Sequence, residues 1–261
     1  MPRRVPTPAY AAAGTGPRTV LFLHGIGGNR GSFAADLPRL AAAWRALAWD
    51  MPGYGASPPI RPLTFAALAE AAIAVLDAER ADKAVLVGHS LGGMIAQETA
   101  ARFPERVSGL VLFATSAAFG GKDDSFKTAF LADRLAPLNA GKTMPEIAER
   151  LTKGLFGPAP PEAARRQAIA SMAAIPEASY RAALECIVTF DRRDDLARIA
   201  CPTLVLAAEH DALAPPKTMA RMAERIPGAA FRCIAGAGHL ANFEQPAAFA
   251  AALDEFLAAI P

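Results

Sequence analysis

Short apolar runs rich in β-branched residues alternate along this chain with longer segments of helical spacing. Such runs indicate strands, and helical segments between them indicate crossover connections in a parallel sheet. Because most runs are apolar throughout, we expect helices to cover both faces of the sheet. The pattern predicts an α/β fold with a twisted, mostly parallel sheet, and its six recognisable strands are 18–25, 45–50, 83–90, 108–115, 202–209 and 229–236.

Four intervening segments have helical spacing, at 64–80, 91–103, 215–226 and 245–260. Proline lies early in the last two, where a missing N–H costs nothing. The interval 117–195 differs, because it contains short helical patterns broken by Gly and Pro and no strong strand. A long excursion from a compact core is usually functional. We therefore predict one folded unit, with core segments 1–116 and 196–261 and a helical lid or cap at 117–195.

Composition and charge exclude several classes of protein. The 261 residues are 52% hydrophobic and 20% charged, which is typical of a folded globular chain. Lys and Arg (27) nearly balance Asp and Glu (25), without single-sign blocks. Nucleic acid and membranes are therefore not expected as partners. The amino-terminal residues do not resemble a secretory signal, and no apolar run reaches the ~18 residues of a membrane span. We expect a cytoplasmic protein.

The three cysteines, Cys186, Cys201 and Cys233, are too few and too scattered for a disulfide framework or a metal knuckle. Cys201 and Cys233 lie in strand patterns. We expect buried free thiols.

The stretch VLVGHSLGG places Ser90 between glycines where a predicted strand gives way to a predicted helix. This is the G-x-S-x-G pattern in the setting that makes serine a nucleophile, because the sharp turn exposes the hydroxyl and leaves no room for flanking side chains. Gly93 is a further small residue where the helix approaches the sheet. The alternative is that the glycines only close a turn and Ser90 caps the helix.

A serine nucleophile needs a base and a carboxylate that orients it. Of the four histidines, His239 lies on a Gly-rich loop after the last strand, whereas His89 is better suited to packing and His24 to a strand-end hydrogen bond. Asp211 follows another strand, and its neighbour Glu209 is a rival. The chain order Ser90, Asp211, His239 predicts nucleophile, acid and base.

Acyl transfer also needs backbone donors for the developing oxyanion. The N–H of Leu91 follows the nucleophile at the start of a helix, where the helix dipole is favourable. The loop HGIGG, at 24–28, supplies the second candidate, the N–H of Ile26. A phosphate-binding loop is the alternative for HGIGGNRG, but it has neither a Walker Lys nor a G-x-G-x-x-G frame.

Five ordered landmarks resemble those of the α/β-hydrolase superfamily: LFLHGIGG, AWDMPGYGAS, VLVGHSLGG, CPTLVLAAEHD and GAGHLANFEQP. The resemblance covers nearly the whole chain. It implies the α/β-hydrolase fold, with eight strands, a helical lid after the sixth strand, and a Ser-Asp-His triad without cofactor or metal. It also implies a structural role for Asp50. Only about 17 residues precede the first strong strand, so we expect seven to eight strands, with one short strand near 9–14 and the family's first strand missing or rudimentary.

Within the superfamily the chain looks most like small bacterial serine hydrolases related to 3-oxoadipate enol-lactonase and similar esterases, a likeness that points to aromatic catabolism. Carbon–carbon hydrolases of this fold usually carry a Gly-Pro-Gly loop and a Trp after the histidine, where this chain has Gly27, Gly28 and Leu240. Perhydrolases and cofactor-free haloperoxidases usually have an aromatic residue at the place of Ile26.

The prediction is a serine esterase or lactonase that cleaves a small carboxylic ester, lactone or enol-ester through an acyl-enzyme on Ser90. Its expected partner is the small-molecule substrate, and a monomer and a homodimer are both compatible with the sequence. The alternatives are a carbon–carbon bond hydrolase, a perhydrolase or haloperoxidase, and a ligand receptor of the same fold. Arg30 is a candidate for binding a substrate carboxylate, although an arginine on an exposed loop usually faces solvent. Six lid residues either line an acyl pocket or pack the lid onto the sheet: Phe119, Phe126, Phe130, Met144, Phe156 and Met172.

Overall fold

A computed structural model describes residues 5–120 and 124–260. Within these residues one seven-stranded sheet has the order β1-β3-β2-β4-β5-β6-β7, and only β1 runs antiparallel to its neighbour. The strands are β1 (Tyr10–Ala13), β2 (Arg18–Leu23), β3 (Trp44–Trp49), β4 (Ala84–His89), β5 (Val107–Phe113), β6 (Thr203–Ala208) and β7 (Ala230–Ile234).

The predicted α/β sheet is confirmed, and each of the six predicted strands agrees with a strand to within two residues at either end. Strand β1 is the short strand predicted near 9–14. The prediction of a missing or rudimentary first strand concerns in part residues 1–4, which lie outside the described residues. Residues 121–123 of the predicted lid also lie outside them.

Helices cover both faces of the sheet and bury it, as predicted. Alternate residues of one strand point to opposite faces, so that Leu21 and Leu23 of β2 belong to one apolar cluster and Val20 and Phe22 to the other. The first cluster includes residues of α2 (Phe65–Ala78), α3 (Leu91–Arg102) and α8 (Pro216–Glu224). The second includes residues of α1 (Asp36–Leu40) and α10 (Pro246–Ala258). Burial of this apolar surface is the main driving force for the fold.

Local sequence signals set where these helices begin. The hydroxyl of Thr64 accepts a hydrogen bond of 3.2 Å from Ala67 N at the start of α2. Pro216 and Pro246 are the first residues of α8 and α10, as the early prolines predicted. No helix in the described part of the chain is both long and apolar enough to cross a bilayer.

Among the described residues, four α-helices separate β5 from β6: α4 (Ser125–Asn139), α5 (Met144–Lys153), α6 (Glu162–Ala173) and α7 (Glu177–Ile187). The chain leaves and re-enters the core at one place, because Phe119 N donates to Phe190 O (2.9 Å) and Arg192 N donates to Ala117 O (2.7 Å). This helical insertion corresponds to the predicted interval 117–195. Its action as a lid stays a prediction.

The expectation of buried thiols is wrong for Cys233 and only partly right for Cys201. Cys186 is buried, Cys201 is half-buried and Cys233 is exposed. Cys233 lies in β7, which forms an edge of the sheet and has one neighbouring strand. The continuous apolar pattern predicts burial on two faces, but an edge strand is covered incompletely, and three of the five β7 residues are exposed. Cys201 precedes β6 rather than lying in it.

Candidate active site

Ser90 lies in the turn between β4 and α3. Its backbone angles, φ 53° and ψ −119°, are strained for a residue with a side chain. The flanking glycines are needed for space, because a Cβ on Gly88 would lie 2.5 Å from Gly93 Cα and one on Gly92 would lie 2.8 Å from His24 O. The predicted sharp turn is confirmed. The alternative role of Ser90 as a helix cap is wrong, since its side chain makes no capping hydrogen bond to the described residues of α3.

Asp211 and His239 meet at the carboxyl end of the sheet. Asp211 follows β6 and His239 follows β7, and Asp211 Oδ2 is 2.8 Å from His239 Nδ1. Both side chains are buried, at 0% and 7% exposure. The second oxygen, Asp211 Oδ1, accepts backbone hydrogen bonds from Leu213 (2.8 Å) and Ala214 (3.0 Å). The carboxylate is therefore held in one orientation.

The charge of Asp211 fixes the proton arrangement of His239. Burial by itself raises the pKa of Asp211, but the histidine and the two backbone donors outweigh it and hold this pKa below its ordinary value. An ionised carboxylate only accepts, so His239 Nδ1 donates to it and Nε2 is left to accept a proton. Glu209, the rival carboxylate, is exposed and accepts instead from Gly236 N at 2.8 Å.

His89 connects the serine turn to the His239 loop. Its Nε2 is 2.8 Å from the carbonyl oxygen of His239, and since a carbonyl only accepts, Nε2 is the donor. The two imidazole rings also pack with their centroids 4.9 Å apart. Burial, followed by the neighbouring His239, lowers the pKa of His89 to about 3, so this imidazole stays neutral. The packing role predicted for His89 is confirmed, and it brings His239 beside the turn that holds Ser90.

The HGIGG loop lies directly against Ser90. A Cβ on Gly25 would be only 2.8 Å from Ser90 Cβ. Gly28 N donates to Gly25 O (3.0 Å) across a turn in which Gly27 has φ +93°, and this hydrogen bond leaves the Ile26 N–H outside it. Leu91 begins α3, so its N–H has no intrahelical acceptor. Leu91 and Gly25, the residue before Ile26, are thus next to the serine.

His24 holds this loop as the predicted strand-end hydrogen bonder. Its Nε2 accepts from Met51 N (2.9 Å), so the proton is on Nδ1, which donates to Gly25 O at 2.8 Å. Burial lowers the pKa of His24 to about 4. Next to it, Asp50 Oδ1 accepts from Arg30 N at 2.9 Å, which fits the structural role expected of Asp50. The Arg30 guanidinium lies 3.6 Å from the same carboxylate.

A small cavity of about 20 Å³ lies between the HGIGG loop, the His239 loop and the helical insertion. Ile26, His89 and Leu240 line it from the core, and Leu155 and Met172 line it from the insertion. Of the six insertion residues predicted to line a pocket or pack, Met172 alone contributes to this cavity. Met144 is buried in the core, whereas Phe126 is 56% exposed.

Comparison with known proteins identifies the family of this fold and site. The alpha/beta hydrolase family pattern matches residues 20–252. The chain belongs to the alpha/beta hydrolase family. It is 30% identical to the pimeloyl-[acyl-carrier protein] methyl ester esterase of Neisseria meningitidis serogroup B / serotype 15 (strain H44/76), over 92% of this chain and 93% of the relative.

Solved structures of alpha/beta hydrolase-like enzymes superpose over nearly the whole chain. A hydrolase from Pseudomonas aeruginosa PA01 has a TM-score of 0.86 at 32% identity, covering 96% of this chain and 94% of its own. An esterase from Thermogutta terrifontis has a TM-score of 0.83 at 30% identity, covering 97% and 93%. These likenesses and the family membership show that the protein is a hydrolase.

The alpha/beta hydrolase fold brings the predicted site residues together at the carboxyl ends of the strands. Asp211 contacts His239, His239 contacts His89 beside Ser90, and the Ile26 loop packs on Ser90. Their catalytic roles remain predictions.

Two residues of the site were missed by the sequence reasoning. Glu244 is buried and hydrogen-bonded to the His239 loop, and Asn242 lines the cavity. Both lie in α9 (Ala241–Glu244), directly after His239. No local signal marked either residue, because their partners, Gly157 and Ser32, lie far away in the sequence.

Proposed function

We propose that this alpha/beta hydrolase is a serine esterase or lactonase that cleaves small carboxylic esters, lactones or enol-esters with Ser90, His239 and Asp211. The observation that carries the proposal is the 2.8 Å hydrogen bond between the buried side chains of Asp211 and His239. The His239 loop is in turn hydrogen-bonded to His89, the residue before Ser90 in the strained turn. A neutral imidazole with Nε2 available is the base that a serine hydroxyl requires.

The reaction proceeds in two halves. Ser90 Oγ attacks the substrate carbonyl while His239 Nε2 takes its proton, and Asp211 stabilises the imidazolium that forms. The backbone N–H groups of Ile26 and Leu91 donate to the oxyanion of the tetrahedral intermediate. His239 then returns the proton to the departing alcohol or enol, leaving an ester on Ser90. A water molecule, deprotonated by His239, attacks this ester and forms a second tetrahedral intermediate. Its collapse releases the acid, and His239 returns the proton to Ser90 Oγ.

The small cavity beside the HGIGG loop can hold part of a small substrate. Its volume of about 20 Å³ has room for a water-sized group. The Neisseria relative is named for a methyl ester, which favours short-chain alcohol esters as probes. Enol-lactone hydrolysis in the catabolism of aromatic compounds is a further reaction of this class, and a cytoplasmic location would suit it.

The test is the Ser90-dependent hydrolysis of p-nitrophenyl acetate together with covalent labelling by a fluorophosphonate. We expect turnover and a stoichiometric adduct located by mass spectrometry on the peptide containing Ser90. Ser90→Ala abolishes both while the circular dichroism spectrum is unchanged. Hydrolysis that survives in the Ser90→Ala protein would contradict the proposal.

A further inference from the structure

The amide of Asn242 is held in one orientation by the HGIGG side of the site. Its Nδ2 donates to the backbone oxygen of Ser32 at 3.0 Å. A carbonyl oxygen only accepts, so the nitrogen must face Ser32 and the positions of Oδ1 and Nδ2 are fixed by chemistry. Asn242 Oδ1 therefore faces away from Ser32. It is buried and has no hydrogen-bond partner among the described residues.

Asn242 also lines the small cavity beside Ile26, the proposed oxyanion donor. The other polar side chains there have partners: Thr152 Oγ1 donates to Ala148 O (2.9 Å), and His89 Nε2 donates to His239 O (2.8 Å). Ser32 Oγ accepts from Asn29 N at 3.2 Å. The rest of the lining is mainly apolar, as with Leu155, Ala168, Met172, Leu240 and Phe243.

An acceptor buried in such surroundings selects for a ligand that brings a donor. Leaving a buried acceptor unpaired is costly, and a pocket containing one discriminates strongly against analogues that lack the matching O–H or N–H. The cavity, at about 20 Å³, has room for a water-sized group such as a hydroxyl or amino substituent.

We propose that Asn242 is a specificity-determining residue whose Oδ1 accepts a hydrogen bond from a hydroxyl or N–H group of the substrate, near the scissile carbonyl. The preferred substrates are then short esters or lactones with such a donor. This inference rests on the proposed function, because it places the donor in the same substrate that Ser90 attacks.

Two ester pairs test the preference on either side of the scissile bond. Methyl 3-hydroxybutyrate is compared with methyl 3-methylbutyrate, which has a methyl in place of the hydroxyl. Similarly, 2-hydroxyethyl butyrate is compared with propyl butyrate. For at least one pair, we expect kcat/KM of the wild-type protein to favour the hydroxy ester by about tenfold or more, the value of one satisfied hydrogen bond.

Two variants separate acceptance by Oδ1 from the structural contact with Ser32. Asn242→Leu removes the acceptor and the donor, so the preference ratio should fall to about one. Asn242→Asp loses the donor to Ser32 O but keeps an acceptor oxygen, so the ratio should stay within about threefold of wild type. Because each ratio is measured within one protein, a general loss of folded enzyme cancels.

The outcomes distinguish the two proposals. If Ser90→Ala abolishes hydrolysis but the wild type shows no preference in either pair, or Asn242→Leu leaves the preference unchanged, the role of Asn242 is overturned and the serine mechanism stands. Hydrolysis that does not depend on Ser90 overturns both.

Discussion

The carboxylate of Glu244 accepts a hydrogen bond of 2.7 Å from the backbone N–H of Gly157, in the helical insertion. Its other oxygen accepts from Gly238 N at 2.9 Å, next to His239. The two backbones touch, since a Cβ on Gly157 would lie 2.9 Å from Gly236 O. One buried carboxylate thus joins the insertion to the loop that carries the proposed base.

Glu244→Gln should weaken this junction. The NH₂ group of the glutamine amide would face the backbone N–H of either Gly157 or Gly238. At least one of the two hydrogen bonds is then lost, and a buried donor is left unpaired. We expect about 1–3 kcal/mol of lost stability in urea unfolding, together with a lower kcat. The control is Glu255→Gln, because Glu255 is exposed and pairs with Arg232 on the surface, where such pairs contribute at most about 1 kcal/mol. Equal losses in the two variants would argue against the junction.

Asp211→Asn should reduce kcat for p-nitrophenyl acetate by about 10²–10⁴ and leave the fold intact. The amide cannot stabilise the imidazolium, and it favours the wrong tautomer of His239. Glu209→Gln is the matched control, because Glu209 is exposed and accepts a hydrogen bond from Gly236 N rather than from His239. If Glu209→Gln proved the more damaging change, the acid would have been assigned to the wrong carboxylate.

Gly25→Ala should impair catalysis through a steric clash. The added methyl group would lie 2.8 Å from Ser90 Cβ and 3.1 Å from His89 O, so the HGIGG loop or the serine turn must shift. We expect about 1–3 kcal/mol of destabilisation and a fall in kcat as the oxyanion donors move. Gly154→Ala is the control, since nothing lies within 4 Å of its added Cβ. Full activity in Gly25→Ala would show that the loop does not position the reaction.

Two buried histidines should make the fold sensitive to mild acid. In the folded protein burial lowers the pKa of His24 to about 4 and of His89 to about 3, from an ordinary value of 6.5. Below pH 6.5 the unfolded chain therefore binds more protons, and the free energy of unfolding falls with pH. Between pH 6.5 and about 5 each histidine should cost about 1.5 kcal/mol.

Urea unfolding at a series of pH values measures this slope. His89→Gln, which keeps a donor for His239 O, should remove roughly half of it whatever its effect on stability at neutral pH. The lowered pKa of Asp211 acts in a separate window, because its contribution is present above the ordinary value of 3.8 and is lost only at lower pH. A slope that His89→Gln does not change would exclude a buried neutral His89.

Much of the site followed from local signals. Short-range patterns marked the glycines around Ser90, the HGIGG loop, and the strand ends before Asp211 and His239. The structure places all of them at the carboxyl ends of the strands. Glu244 and Asn242 were missed because their partners, Gly157 and Ser32, are distant in sequence. A buried polar residue in a short helix has no distinctive local pattern.

The sequence by itself determined the order of strands and helices, the sharp turn at Ser90 and the candidates for acid and base, because periodicity and glycine geometry act over a few residues. Only the tertiary structure decided that β7 is an edge strand with Cys233 exposed, and that Asp211 rather than Glu209 contacts His239. It also decided that Asn242, beside the cavity, has a buried oxygen with no partner among the described residues. These outcomes depend on which distant segments meet, since burial and hydrogen-bond partners are properties of the packed chain.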